Sequence, residues 1–194
     1  MIGLLNPILS CKKSSTPHYT IPEEFKAWSV FQKGSYWIYF NSVTQSFDST
    51  YVTDNSFQTL STHPQKPDEP YQYDEITILF SSIVYHKFEI TGSYSGASLI
   101  VYVDTNDYAI LSSWFLEDPT RWSSWGKAVF PNFVLNGKSY INVYKTEATY
   151  YNIHSMWVAT DCYWSRNLGI IQIVNLINHD TTLNWSLLRY NIVQ

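Results

Sequence analysis

A chain of 194 residues suits one domain, and hydrophobic residues at 45% with aromatics at 18% against 14% charged exclude a disordered polymer. Rings and β-branched side chains fit a pleated, half-buried surface, so the composition favours sheets over helices. The formal charge of −4, with no cationic cluster beyond Lys12-Lys13, offers nothing to a phosphate backbone and argues against nucleic acid as a partner.

The chain opens on an apolar run, Met1 to Leu9, closed by Ser10 before Cys11, and a polar run Lys12-Lys13-Ser14-Ser15-Thr16-Pro17 follows. That order reads as the end of an export signal. A lipidation box needs an aliphatic residue three before the cysteine and a small one directly before it, and Ile8, Ser10 and Cys11 supply them. Cys11 is therefore the expected lipidation site and the expected mature N-terminus. Only ten residues precede it and none is basic, so a full signal would start upstream of Met1. The competing reading is a frayed terminus with a chance Leu-Ser-Cys. No apolar run reaches the roughly 18 to 20 residues that span a bilayer, so attachment would be through acyl chains. The expected division is a residual signal over 1–10, a lipidated tether over 11–24 and a single β domain over 25–194. With Cys11 acylated, Cys162 has no intramolecular disulfide partner.

Along the domain, Pro22 to Trp28 can form a single helical turn, and then strands dominate. Ser35 to Phe40, Asp48 to Leu60, Tyr73 to Ser81 and Val84 to Thr91 alternate in the period of a strand, and a loop with Pro64, Pro67 and Pro70 interrupts them. Gly34 permits a tight approach to a strand that sets Tyr36, Ile38 and Phe40 on one face and Trp37 and Tyr39 on the other. Gly92 to Gly96 is a turn, and Leu99–Val103 and Tyr108–Phe115 flank a second at Asp104 to Asp107. Asn136-Gly137 is the sharpest local signal, because both central positions of a type I′ turn need positive φ. Further strands are expected on either side of it and at Met156–Trp164, Gly169–Ile177 and Leu183–Val193. Gly169 is expected where a strand begins beneath a neighbouring ring. The fold class is therefore all-β, an antiparallel meander with little helix, curled into a half-barrel or barrel or paired as a sandwich.

Three stretches carry a resemblance: Leu9-Ser10-Cys11-Lys12-Lys13, Phe31 to Tyr39, and the C-terminal part with Asn136 to Tyr144, Tyr163 to Ile171 and Trp185 to Tyr190. They resemble the small lipoproteins of Bacteroidetes envelopes. The resemblance covers both ends better than the middle and implies an antiparallel β protein anchored in the outer membrane. Some of these lipoproteins carry acidic residues just after the cysteine as a surface-export cue. Lys12-Lys13-Ser14-Ser15 has none, so the anchor is expected to face the periplasm.

For chemistry, Cys162 with His154 and Asp161 is the sharpest catalytic combination, since a thiol needs a base and an orienting acid. Neighbours on one strand point to opposite faces, however, so Cys162 and Asp161 should diverge, and an inert buried thiol is the plainer account. Asp104-Thr105-Asn106-Asp107 starts like a calcium loop but puts Tyr108 at the next oxygen position, which a hairpin turn explains better. The five histidines show no ligand spacing, and no P-loop, nucleophile elbow or dinucleotide fingerprint occurs, so neither metal nor cofactor is expected. Trp114, Trp122 and Trp125 share a loop with Glu117, Asp118 and Arg121. Flat rings beside carboxylates and a guanidinium suit a sugar, through stacking on C–H faces and hydrogen bonds to hydroxyls. The same loop folded back as a lid over the core is the bland alternative. The leading expectation is a non-enzymatic binding or assembly module with a glycan, lipid or protein ligand. The second is a hydrolase or thiol enzyme using Cys162 or the loop carboxylates.

Overall fold

The computed structural model describes residues 16–61, 70–93, 96–102, 108–112, 128–151, 157–177 and 180–193. In chain order these form β1 (His18–Tyr19), α1 (Glu23–Ser29), β2 (Tyr36–Asn41), β3 (Ser46–Ser61), β4 (Gln72–Ser81), β5 (Lys87–Ser93), β6 (Gly96–Tyr102) and β7 (Tyr108–Ser112). There follow β8 (Ala128–Leu135), β9 (Lys138–Tyr151), β10 (Trp157–Ser165), β11 (Gly169–Ile177) and β12 (Asp180–Asn191). All join one sheet in the order β7-β6-β5-β4-β3-β2-β12-β11-β10-β9-β8, with β1 added in parallel on β4. The sheet curls into a half-barrel, and β7 comes near β9 and β10. Among the described residues no helix is long and apolar enough to cross a membrane.

The topology is two meanders, β2–β7 and β8–β12, zipped together where the last strand pairs with the second. Trp185↔Asn41 and Tyr190↔Trp37 are partners in that seam, and the hydroxyl of Ser35 accepts from the Val193 amide at 2.9 Å. The unlinked edges are β7 and β8, and residues 113–127 are the connection between them.

Alternation on β2 follows the sequence expectation: Trp37 and Tyr39 are fully buried while Tyr36, Ile38 and Phe40 are half-buried. The buried face carries ring on ring, with Phe80 4.9 Å from Tyr85, Phe88 6.0 Å from Trp164 and Phe31 4.9 Å from Trp37. Their polar atoms are paired, as burial requires. The indole of Trp37 donates to the Leu168 carbonyl at 2.8 Å and that of Trp164 to the Thr146 hydroxyl at 3.0 Å. The Tyr39 hydroxyl donates to the Ile170 carbonyl at 2.7 Å, so the Tyr85 hydroxyl, 3.0 Å away, donates to Tyr39. Burial raises both phenols well above their ordinary range.

Helix α1 is short and no side chain caps its start; Glu23 and Glu24 lie in its first turn, where carboxylates favour the helix dipole. Packing holds it. Phe25 and Trp28 are buried three residues apart, and Trp28 meets Tyr144 edge-on at 5.0 Å, which sets the helix on the inner face of the half-barrel. Gly169 lies beneath the Phe31 ring as expected: a side-chain carbon there would stand 3.0 Å from the ring, and the φ of 75° favours glycine.

Three local expectations are revised. The tether over 11–24 gives way to structure at its end, where His18–Tyr19 joins the sheet. The strand expected from Val84 begins at Lys87, because the Ser82 hydroxyl takes the amides of Val84 and Tyr85 and turns the chain first. Gly92 and Ser93 belong to β5 rather than to a turn. The turn at Asp104 to Asp107 lies outside the described residues.

Candidate functional site

The described residues form an open groove of about 230 Å³ between α1 with its following chain and the β3–β4 arm. Lys26, Val30 and Gln32 make one wall; Asn55, Ser56, Phe57 and Ile76 make the other wall and the floor. The register explains why these side chains converge. Phe57 opposes Ile76 and Asn55 opposes Ile78, and direct partners in an antiparallel pair share a face, so Asn55 and Phe57 stand on the inner face with the buried Ile76 and Ile78. The slip between Val52 and Asp54 switches the inward parity of β3, from Val52 opposite the buried Phe80 to Asn55 and Phe57 opposite Ile78 and Ile76. Beyond the reach of α1 the inner face is uncovered, and Phe57 stays 63% exposed although it points the way core residues point. The Asn55 side-chain amide donates to the Gln32 carbonyl oxygen at 2.9 Å, tying the two walls at one end.

One register step further along the same face, Thr59 opposes Asp74. That is a displacement of about 7 Å along the strand. Here β1 brings in His18, whose Nε2 donates to Asp74 Oδ1 at 2.8 Å, and the Thr59 hydroxyl donates to the same oxygen at 3.0 Å. Asp74 is only 8% exposed while the His18 side chain is 41% exposed, so a buried carboxylate orients an imidazole one step along the inner face from the groove. Thr59 spends its hydroxyl proton on Asp74 rather than facing the imidazole. The three do not form a nucleophile–base–acid relay. Nothing in the sequence pointed to this pair: the partners are 56 residues apart, and β1 is two residues long.

Cys162 is fully buried, on the face of β10 that also holds Trp164. Asp161 points away from it, as strand alternation predicts, and accepts from Lys145 Nζ at 2.8 Å, with Glu147 at 3.8 Å from the same ammonium. Asp161 Oδ1 is buried and makes no hydrogen bond. Burial raises the Asp161 carboxyl above its ordinary value, Lys145 pulling it back only in part. Burial and then the Asp161 charge raise Glu147 in the same direction. Burial, the largest single influence, depresses Lys145, but the hydrogen bond to Asp161 and the charges of Asp161, Tyr163 and Glu147 together outweigh it and the ammonium ends above its ordinary value. Beside this group Tyr163 stacks on Phe133 with ring centres 5.1 Å apart.

The remaining sequence candidates lie outside the described residues: Cys11, His154, and the loop with Trp114, Glu117, Asp118, Arg121, Trp122 and Trp125. By connectivity that loop is the link between the two edge strands. Among the described residues no three His, Cys, Asp or Glu gather closely enough to hold a metal ion. Comparison with protein-family models, curated proteins and solved structures finds no match to this chain.

Proposed function

We propose that this chain is a lipid-anchored protein of a bacterial cell envelope, acylated at Cys11 and facing the periplasm from the outer membrane, whose half-barrel acts as a non-enzymatic binding or assembly module. The observation that carries the binding reading is the groove beside α1. A ring two-thirds exposed on a face otherwise given to the core, in a groove walled by α1, is a surface arranged to be covered. Trp114, Trp122, Trp125, Arg121 and Asp118, which lie outside the described residues, are the second candidate set for a glycan, lipid or protein ligand, on the grounds of their side-chain chemistry. The thiol-enzyme alternative is weakened by the burial of Cys162, since a nucleophile has to be reached by its substrate.

The anchor is tested by metabolic labelling with a fatty-acid analogue in a bacterial host. Label on the native chain and none on Cys11→Ala is the expected pattern; equal membrane partition of both would remove the anchor. The binding reading is tested by screening the full chain against glycan arrays and lipid vesicles, alongside Trp122→Ala and Trp125→Ala. Binding weakened by either substitution places a ligand on the loop, and retention by both moves it to the groove.

A further inference from the structure

The groove runs beside a strand edge that no described strand occupies. β2 pairs with β3 only as far as Tyr36↔Tyr51, whereas β3 continues against β4 to Ser61↔Gln72. From Thr53 to Ser61, β3 therefore has a partner on one side alone among the described residues, and Thr53, Asp54, Ser56, Gln58, Thr59 and Ser61 are exposed. Natural sheets protect such an edge with lysine, proline or a covering element. The other long edge does so: β8 carries Pro131. Thr53–Ser61 contains no Lys, Arg or Pro; its one charge, Asp54, and the bulge both lie at its start, so Asn55 to Ser61 carries neither.

An edge with free backbone donors and acceptors, flanked by a helix and floored by apolar side chains, recognises an extended polypeptide. Main-chain hydrogen bonds add the ligand as a further strand, and alternate side chains drop into the space between strand and helix. The charges choose among polypeptides. Lys26 lines the groove from the α1 wall, where it is ion-paired with the exposed Glu23, and one step beyond the floor Asp74 already accepts from His18 and Thr59. An acidic side chain of a ligand can exchange with the exposed Glu23 for the Lys26 ammonium beside the Phe57–Ile76 floor.

Resting on the reading of this chain as a binding module, we infer that the groove binds an extended segment of another protein by strand addition to Thr53–Ser61. An apolar side chain of that segment sits on Phe57 and Ile76, and an acidic one lies toward Lys26. A saccharide or lipid would leave the strand's free backbone groups without their matching partners.

The test uses a displayed library of random nine-residue peptides panned against the full chain, with glycan arrays and lipid vesicles as parallel arms. Enrichment of peptides with an apolar residue near an acidic one is expected. Their affinity should fall about tenfold or more with Phe57→Ala or Lys26→Glu, and stay level with Ile141→Ala, which is exposed on β9. Methylating alternate backbone amides of an enriched peptide removes main-chain donors while keeping every side chain. One of the two alternating sets should abolish binding and the other leave it, as strand pairing demands. Enriched peptides indifferent to Phe57→Ala and to both methylation sets would overturn the inference. So would sedimentation showing a dimer that Gln58→Lys dissolves, because the edge would then belong to a second copy. Binding in the glycan or lipid arm with no peptide enriched overturns the inference and leaves the binding module standing. Silence in all arms removes both.

Discussion

Asp161 and Glu147 share one ammonium group in a partly buried place, and this fixes how they couple folding to pH. Both carboxyl groups are raised above their ordinary values, first by burial. An acid whose folded pKa exceeds its unfolded one holds its proton more tightly in the folded state. Its contribution is fully present below the unfolded value of about 4 and is lost as pH rises through the folded value. Denaturant unfolding should therefore show stability declining across that window, and Asp161→Asn with Glu147→Gln should flatten the decline; an unchanged slope would remove these groups as its source. Lys145→Met strips both carboxylates of their cation and should cost about 2–4 kcal/mol near pH 7, less at pH 5 where protonation relieves the charge. Cys162 yields a second prediction. In a Cys11→Ser chain a thiol reagent should react only after unfolding, and prompt native reaction would reopen the thiol-enzyme reading. The opposed directions of Asp161 and Cys162 were legible in the sequence, because alternation along a strand is a local rule. The Lys145 partnership was not, since it depends on which strand lies alongside.

At the scale of elements, the β8–β9 hairpin shows a turn read correctly from two residues. Asn136 and Gly137 have φ of 51° and 75°, and the Asn136 side chain also donates to the Leu187 carbonyl at 3.2 Å, fastening the hairpin to β12. Asn136→Val loses both the tolerated backbone geometry and that bond, and should lower stability by about 2 kcal/mol in chemical denaturation. The N-terminal strand shows the opposite case. Its residues follow a Ser/Thr/Pro-rich run and carry no period of their own, yet they pair with Gln72 and Tyr73 where β5 leaves β4 free. Gly92 makes this possible: a side-chain carbon there would stand 2.3 Å from the Tyr19 carbonyl oxygen. Gly92→Ala should dislodge β1, release His18 from Asp74 and expose the segment before α1 to protease, while α1 stays docked through Phe25 and Trp28. Unaltered proteolysis would show that β1 contributes little hold. The groove was illegible for a related reason. Phe57 alternates like a core residue, and only the length of α1 leaves it uncovered.

The whole molecule depends on a pairing between chain segments far apart in sequence. Composition and alternation gave the all-β class and most strands, since both are properties of short windows. They left half-barrel and sandwich equally open, because curl depends on which strands meet, and the decisive meeting is β12 with β2. Strand pairing across such a separation closes a long loop before any contact rewards it, so folding should be slow relative to helical domains of this size. A chain ending at residue 179 lacks the strand that joins the two meanders. It should show neither the near-ultraviolet signature of packed rings nor a cooperative unfolding transition, and persistence of both would mean that the halves fold apart.

The late position of that joining strand also dictates when the molecule can exist. Until β12 has emerged from the ribosome, β2 and β11 each have an open flank, so the two meanders have nothing to join them. Folding has to wait for that strand.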